Sequence, residues 1–338
     1  MRKQNRRMSS RGARFAMLGV LGIALVTPWS ASAVGGASAC RNTAMRPTGW
    51  VAAPALDVTR ICAATIRLDS ADPMLRYDSG VVQLHPKIYL VLLGSQWRTP
   101  PGNPDREPSY LAKFYSGLAG PLDAWSTTLS QYCQGAPDGA ATCGPETSHI
   151  VHPTTSPLRG AYFDVATPAH HQPGSSDIID AATAAASHFG NTTDASNVDA
   201  QYIVMTPSGH SPEGFGPGGW CAQHAWTQTK YGNLSLTILP YIPDAGPACG
   251  ARLVGPDESL DGVSIYASLE YAESVTDPIP VGGWIDGAFL EIGDKCDSRL
   301  AANTTLATGL FAVHALWSNN DGPDGGCVTN YQSPTRQH

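Results

Sequence analysis

The stretch Lys87-Ile-Tyr-Leu-Val-Leu-Leu93, which runs directly into Gly94, decides the fold class of this chain. A continuous apolar run of this length is typical of a strand buried on both faces, because a half-buried strand alternates apolar and polar residues. A second run, Gln201-Tyr-Ile-Val-Met205, also ends at turn-forming residues. Leu234-Ser-Leu-Thr-Ile-Leu239 predicts a third strand, with alternating character. The sequence therefore predicts a sheet whose inner strands are covered on both sides.

Helical patterns separate these strands. Apolar residues recur at mostly three- to four-residue spacing from Tyr110 to Tyr132, and Pro121 is expected to divide this segment into two helices. An Ala-rich helix is predicted over Asp177 to Phe189. A third helix is predicted over Leu260 to Thr276, before Pro278. Alternating strands and helices predict an α/β layered domain.

The first 33 residues are predicted to be a cleavable secretion signal. Six cations precede an apolar run from Phe15 to Val26, and Pro28 and the triplet Ala31-Ser-Ala33 follow. This order is typical of a secretory signal, and the run is shorter than the roughly 20 residues of a membrane span. We therefore expect a secreted, extracellular protein with an N-terminal arm at 34–84 and a single domain at 85–338.

The charge balance of the mature chain excludes some partners. Of the 21 Lys and Arg residues, six lie in the signal, which leaves 15 against 28 Asp and Glu, a formal charge of −13. Nucleic acids and anionic membranes bind basic surfaces, so neither is an expected partner. The sequence also shows no phosphate-binding or dinucleotide-binding glycine motif and no G-x-S-x-G motif of serine hydrolases.

The cysteines are even in number. All eight lie beyond the predicted signal, and an exported chain is expected to pair them as four disulfides. Pairing of neighbours is the simplest of the many possible connectivities, because each bond then closes a local loop. It predicts 40–62, 133–143, 221–249 and 296–327.

A stripe of acids on the third predicted helix is the strongest sign of chemistry. Glu270 and Glu273 are three residues apart and Asp277 follows four later, so all three lie on one face. Like charges at this spacing destabilise an isolated helix by a few tenths of a kcal/mol. The stripe therefore indicates a cation, a hydrogen-bond network or raised pKa values. Farther along, Glu291 and Asp294 precede Cys296, where a disulfide is expected to hold them near the helix.

The same residues carry a resemblance to a known family. Glu270-Tyr-Ala-Glu-Ser-Val-Thr-Asp-Pro278, Gly283-Trp-Ile-Asp286 and Glu291-Ile-Gly-Asp-Lys-Cys296 resemble a family of secreted bacterial and fungal proteins. The core motif of that family is H-E-Y-A-E-x-V-T-D-P, and the family is distantly similar to the plant phosphate-induced, or Exordium, proteins. The resemblance covers roughly residues 85–330 and implies a layered zincin-like α/β domain with a mixed sheet, a metal-type helix and long disulfide-stapled loops.

The resemblance implies a role for each acid of the helix. In zincin-type helices, a His and a residue four positions later bind the metal, and the Glu after the His is the catalytic base. Carried onto this chain, Glu270 is the base and Glu273 a ligand, but Leu269 stands at the His position. The candidates for the missing ligands are His210, His224, Asp277, Glu291 and Asp294. Zn²⁺ is the first candidate metal, Ca²⁺ is the alternative for a carboxylate-rich site, and a site without metal stays open.

Two functions follow from this pattern. The first is a secreted zincin-like metallopeptidase acting on peptides or proteins, with activity weakened or lost through Leu269. The second is a non-catalytic extracellular binding or signalling protein of the same fold. More ordinary roles compete with both: Glu270 as a solvated helix residue, Glu273 as a hydrogen-bonded buried acid, His210 as a loop histidine and His224 as a packing residue.

Overall fold

A computed structural model describes residues 73–98, 106–255, 259–280 and 282–331. The predicted signal segment, most of the N-terminal arm and the predicted Cys40–Cys62 bond lie outside the described residues. Within the described part, the chain forms an α/β fold with a mixed sheet, as expected.

The secondary structure elements follow one another along the chain in this order. The strands are β1 Arg76–Tyr77, β2 Lys87–Leu93, β3 Cys133–Gln134, β4 Ser148–His149, β5 Leu158–Asp164, β6 Ala200–Met205, β7 Gln223–Thr229, β8 Gly232–Leu239, β9 Trp284–Ile285, β10 Ala302–Leu306, β11 Gly309–Val313, β12 Leu316–Ser318 and β13 Gly326–Val328. The α-helices are α1 Glu107–Gly117, α2 Ser175–His188, α3 Asp194–Asn197 and α4 Asp261–Thr276. Short 3₁₀ helices cover Ser95–Arg98, Ser126–Gln131, Ile242–Cys249 and Ser298–Leu300.

The main sheet has five strands in the order β5-β2-β6-β8-β7. The first four are parallel, and β7 runs antiparallel to β8 at the edge. Parallel strands need crossover connections, and helices α1 and α2 lie in the two crossovers from β2 to β5 and from β5 to β6. The three segments predicted as strands are the inner strands β2, β6 and β8.

Helices cover both faces of this sheet. Successive residues of a strand point to opposite faces, so β2 contributes to two cores. Ile88, Leu90 and Leu92 pack in the larger core with residues of α1 and α4, among them Leu111, Phe114, Ala272 and Val275. Tyr89, Val91 and Leu93 pack on the other face with α2, through Ile178, Ala181 and Ala185. The result is a three-layer domain.

Helix α4 is almost completely enclosed. Fourteen of its sixteen residues are buried, and the two that are half-buried are Tyr266 and Leu269. Two serines fasten it to the β10–β11 hairpin: Ser264 Oγ donates to the Ala312 carbonyl (2.6 Å), and Ser268 Oγ accepts from His314 N (2.9 Å). The helix that bears the acid stripe therefore lies in the interior and not on the surface.

The structure corrects part of the predicted helix pattern. The helix predicted from Tyr110 ends at Gly117, before Pro121, and the second piece is the 3₁₀ segment Ser126–Gln131. Gly117 lies against Leu306 and Thr308, where an added Cβ has no room. Strands β5 and β7 were not predicted, because neither has a continuous apolar run.

Three disulfides connect Cys133 to Cys143, Cys221 to Cys249 and Cys296 to Cys327. Three of the four predicted pairs are therefore confirmed. Within the described ranges, no helix combines the length and apolar character needed to cross a bilayer.

The two buried serines Ser268 and Ser274 on α4 provide a matched test of its attachment. Both side chains are fully buried, but Ser268 Oγ accepts a core N–H, whereas Ser274 Oγ has no hydrogen-bond partner among the described residues. We expect Ser268→Ala to lower the free energy of unfolding by about 1–3 kcal/mol, because the N–H of His314 loses its acceptor. Ser274→Ala should change it by less than about 0.5 kcal/mol. Urea denaturation of both variants checks this, and equal losses would contradict it.

Candidate metal centre

The imidazole of His224 lies at the centre of the acid cluster. His224 is on β7, where pairing opposite Thr237 of β8 fixes its backbone, and its side chain is only 5% exposed. Its Nδ1 lies 3.4 Å from Glu273 Oε2 and 3.8 Å from Glu270 Oε2. On the other side of the ring, Nε2 lies 3.3 Å from Glu291 Oε1. One imidazole thus contacts three carboxylates from two separate segments.

A turn-forming loop at residues 286–296 delivers Glu291. Asp286 shapes this loop, because its Oδ1 accepts hydrogen bonds from Ala288 N (2.8 Å) and Leu290 N (2.9 Å). Its other oxygen pairs with Lys295 Nζ at 2.6 Å. Lys295 is therefore already engaged and does not neutralise the acids around His224.

Three buried polar atoms of this cluster lack hydrogen bonds. His224 Nε2, Glu273 Oε1 and Glu291 Oε1 have no partner with hydrogen-bond geometry among the described residues, although Nε2 and Glu291 Oε1 are close. His224, Glu273 and Glu291 each offer one ligand atom within 4.8 Å of the others. Buried polar atoms normally have hydrogen-bond partners, and a bound ion is one explanation for buried atoms that lack them. An imidazole and two carboxylates also form a ligand set that Zn²⁺ accepts. These residues therefore fit a divalent cation.

Burial determines how the acids titrate. It raises the pKa of Glu270 to about 8, and the charges of Glu291 and Asp294 add to this effect, while His224 opposes it. Burial likewise raises the pKa values of Glu273 and Asp277 well above their ordinary range, with Glu291 contributing to both.

Two opposing effects act on the pKa of His224. Burial by itself would lower the pKa of its imidazole, but Glu291 and Glu273 outweigh this and raise that pKa well above its usual value. So many acids cannot be ionised together in the interior without compensating charge. Either protons or a cation must balance the cluster.

Leu269 occupies the place next to the acids where the resemblance expects an imidazole. Its side chain packs against the backbone of Gly293, in the loop between Glu291 and Asp294. A Cβ added to Gly293 would overlap Leu269 Cδ1 and come within 2.9 Å of Glu273 Oε1. Loop and helix are thus in direct contact at this point, and only a glycine allows the approach.

Two further predicted site residues, Asp277 and Asp294, lie beside the cluster. Asp277 is the C-cap of α4, where its N–H donates to the Glu273 carbonyl (2.7 Å), and its side chain is buried. Asp294 lies near Glu291, whose charge, after burial, raises the Asp294 pKa. Both therefore border the cluster formed by His224, Glu273 and Glu291.

His210 is engaged elsewhere. Its Nδ1 donates to the Ser208 carbonyl (3.0 Å), which leaves Nε2 to accept from Gln96 Nε2 (3.0 Å). Gln96 also donates to the Ala169 carbonyl and accepts from Ala169 N, so it links the 3₁₀ helix Ser95–Arg98 to two loops at one end of the sheet. Because both imidazole nitrogens of His210 are hydrogen-bonded in this way, we do not include His210 among the ligands of the metal centre.

Sequence reasoning missed Tyr266 as a neighbour of the site. It lies one helical turn before Glu270, is half-buried, and burial followed by the charge of Glu270 raises its pKa. The four-residue spacing of Tyr266 and Glu270 is the signal that could have revealed it.

No family model, curated protein or solved structure matches the chain. The geometry of the described residues is therefore the basis for assigning a function. The donor atoms of the cluster fit a divalent cation, and Glu270 Oε2 lies 3.8 Å from His224 Nδ1 beside them.

Substitution of Gly293 tests the contact between loop and helix. We expect Gly293→Ala to lower the free energy of unfolding by about 1–3 kcal/mol, because the new methyl group overlaps Leu269. Adding Leu269→Ala should recover part of this loss, since it removes the overlapping atom. Gly144→Ala is the matched control, because nothing lies within 4 Å of a Cβ there. Strictly additive effects of the two substitutions in denaturation experiments would contradict this contact.

Proposed function

We propose that this chain is an exported, zincin-like metal-dependent hydrolase that acts on peptides or proteins. The observation that carries the proposal is the convergence of His224, Glu273 and Glu291, from a strand, a helix and a loop, on one buried point with unsatisfied polar atoms. Zn²⁺ suits this mixed set of nitrogen and oxygen ligands, and Ca²⁺ is the alternative because further carboxylates border it.

The proposed roles of the residues follow from their positions. His224, Glu273 and Glu291 would hold the cation, which, when bound, would supply the positive charge that polarises a carbonyl group and activates water. Glu270 lies within 3.8 Å of the imidazole but is not part of the closest ligand set. Because Glu270 lies beside the proposed ligands without being one of them, we assign it the role of general base and acid.

The disulfides support the proposed export of the chain. Three disulfides are typical of a protein that folds in an oxidising compartment. The basic and apolar pattern of residues 1–33 supplies the matching targeting segment. We therefore propose an extracellular location.

Metal binding by the purified chain tests the first half of the proposal. We expect one Zn²⁺ or Ca²⁺ per chain by elemental analysis and titration calorimetry. His224→Ala and Glu291→Gln should weaken binding by more than the roughly 10- to 100-fold that loss of an outer partner costs, because each removes a direct ligand.

Glu146→Gln is the control for this experiment, since Glu146 is exposed in a loop. It should bind as the unaltered chain does. A chain without stoichiometric divalent metal would rule out the proposed site.

Turnover on a panel of casein-derived peptides tests the second half. Glu270→Gln should lower kcat by about 10²- to 10⁴-fold, the usual contribution of a general acid or base, while the metal affinity stays within a few-fold. Glu273→Gln should lose both activity and metal. Activity that survives Glu270→Gln would exclude this role for Glu270.

A non-catalytic extracellular binding protein is the second candidate, and Leu269 is the observation that favours it. An apolar side chain fills the space beside the acids, and the imidazole that the resemblance expects is absent from that position. Leu269→His distinguishes the two candidates. Turnover that appears only in this variant identifies the natural chain as a pseudoenzyme, whereas turnover by the unaltered chain excludes that function.

A further inference from the structure

The three ligands of the proposed site differ in what fixes them. His224 is on a strand that pairs along its length with β8, and Glu273 is inside a buried helix. Glu291 lies in turns, so neither a helix nor a strand fixes its backbone. Its position depends on what fastens the loop 286–296 to the rest of the domain.

The internal contacts of the loop give it a shape but do not attach it. Asp286 bonds to Ala288, Leu290 and Lys295, and Cys296 N donates to the Gly293 carbonyl (2.8 Å). All of these groups belong to the loop itself. They would move together with it.

The loop is attached to the rest of the domain by the contact of Gly293 with Leu269 of α4, by Ile292, which is buried in the larger core, and by the β12–β13 ribbon. Trp317 N donates to the Ile292 carbonyl (2.8 Å), and Lys295 Nζ lies 4.5 Å from the centre of the Trp317 ring. Cys327 is the residue paired with Trp317 across the ribbon, and its disulfide to Cys296 joins the ribbon to the end of the loop. β13 has three residues, all half-buried, which pair with Leu316, Trp317 and Ser318 of β12.

The other two described disulfides do not attach the loop 286–296. Cys221–Cys249 lies next to β7, whose pairing with β8 already fixes His224. Cys133–Cys143 closes a loop, and Cys133 is also held by its pairing with His149 of β4 and by Trp284 Nε1, which donates to its carbonyl. Among the three described disulfides, Cys296–Cys327 is the one that joins a ligand-bearing segment held by neither a helix nor a strand.

We propose that the Cys296–Cys327 disulfide positions Glu291, so that the cation site is complete only while this bond is oxidised. The inference rests on the proposed metal site and adds its regulation: metal loads in an oxidising compartment and is lost on reduction. The reductant is an external dithiol, which transfers two electrons and two protons to the disulfide by exchange and becomes a disulfide itself. The two cysteines become thiols, and the loop loses its covalent attachment.

Co²⁺ titration of the purified full chain tests this inference, with the visible absorbance of bound Co²⁺ as the readout. Replacing Cys296 and Cys327 by Ala should weaken Co²⁺ binding by about 10- to 100-fold, as expected for a residue that orients a ligand. Replacing Cys133 and Cys143 by Ala is the matched control and should change the affinity less than threefold, a shift within about 0.7 kcal/mol.

A double-mutant cycle separates positioning from general loss of stability. If the disulfide acts through Glu291, then Glu291→Gln should weaken binding strongly in the intact chain and much less in the chain that lacks Cys296 and Cys327. Additive effects would overturn the inference. Failure of the unaltered chain to bind Co²⁺ would instead overturn the proposed metal site, so the two failures are distinguishable.

Reduction of the unaltered chain provides the same test if the cysteine variant does not fold. A tertiary phosphine attacks one sulfur and breaks the S–S bond. Water then hydrolyses the resulting thiophosphonium group, which gives the phosphine oxide and leaves two thiols on the protein. The thiols are alkylated, which keeps them from binding Co²⁺, and mass spectrometry identifies the modified cysteines. Loss of Co²⁺ binding that follows alkylation at Cys296 and Cys327 supports the inference, and undiminished binding after that alkylation contradicts it.

Discussion

The burial of several carboxylates around one imidazole is the constraint on which this architecture depends. Helix α4 passes through the interior with nearly all of its surface covered, so Glu270 and Glu273 cannot turn toward solvent. The chain must then bring opposite charge to them, and β7 does so with His224. Moving either element would leave unbalanced charge in the core, which costs far more than the loss of an ordinary contact.

Much of the fold could be predicted because the inner strands and the long helices leave strong periodic signals. The predicted strand over Lys87 to Leu93 has the observed limits, and α4 begins and ends within a residue of its prediction. The edge strands escaped prediction for a physical reason. β5 alternates between half-buried and exposed residues, and β7 turns polar residues such as His224 toward the acids, so neither forms an apolar run.

The candidate site was accessible to sequence reasoning only in part. Helical spacing predicted that Glu270, Glu273 and Asp277 share a face, because that relation is local. The approach of His224 depends on the pairing of β7 with β8, and that of Glu291 on a disulfide and a ribbon, which are relations between distant segments. His210 and His224 flank the same glycine-rich segment of the sequence, yet Gln96 and Ser208 engage both nitrogens of His210, and no local pattern reveals that.

The order of the described disulfides has a consequence for biogenesis. Each bond joins a cysteine to the next one along the described chain, across 10, 28 and 31 residues. A polypeptide that emerges N-terminus first therefore presents each thiol to its native partner before the following pair appears. Oxidation in that order reaches the native connectivity directly. Little shuffling by an isomerase is then required, in contrast to proteins whose bonds interlace.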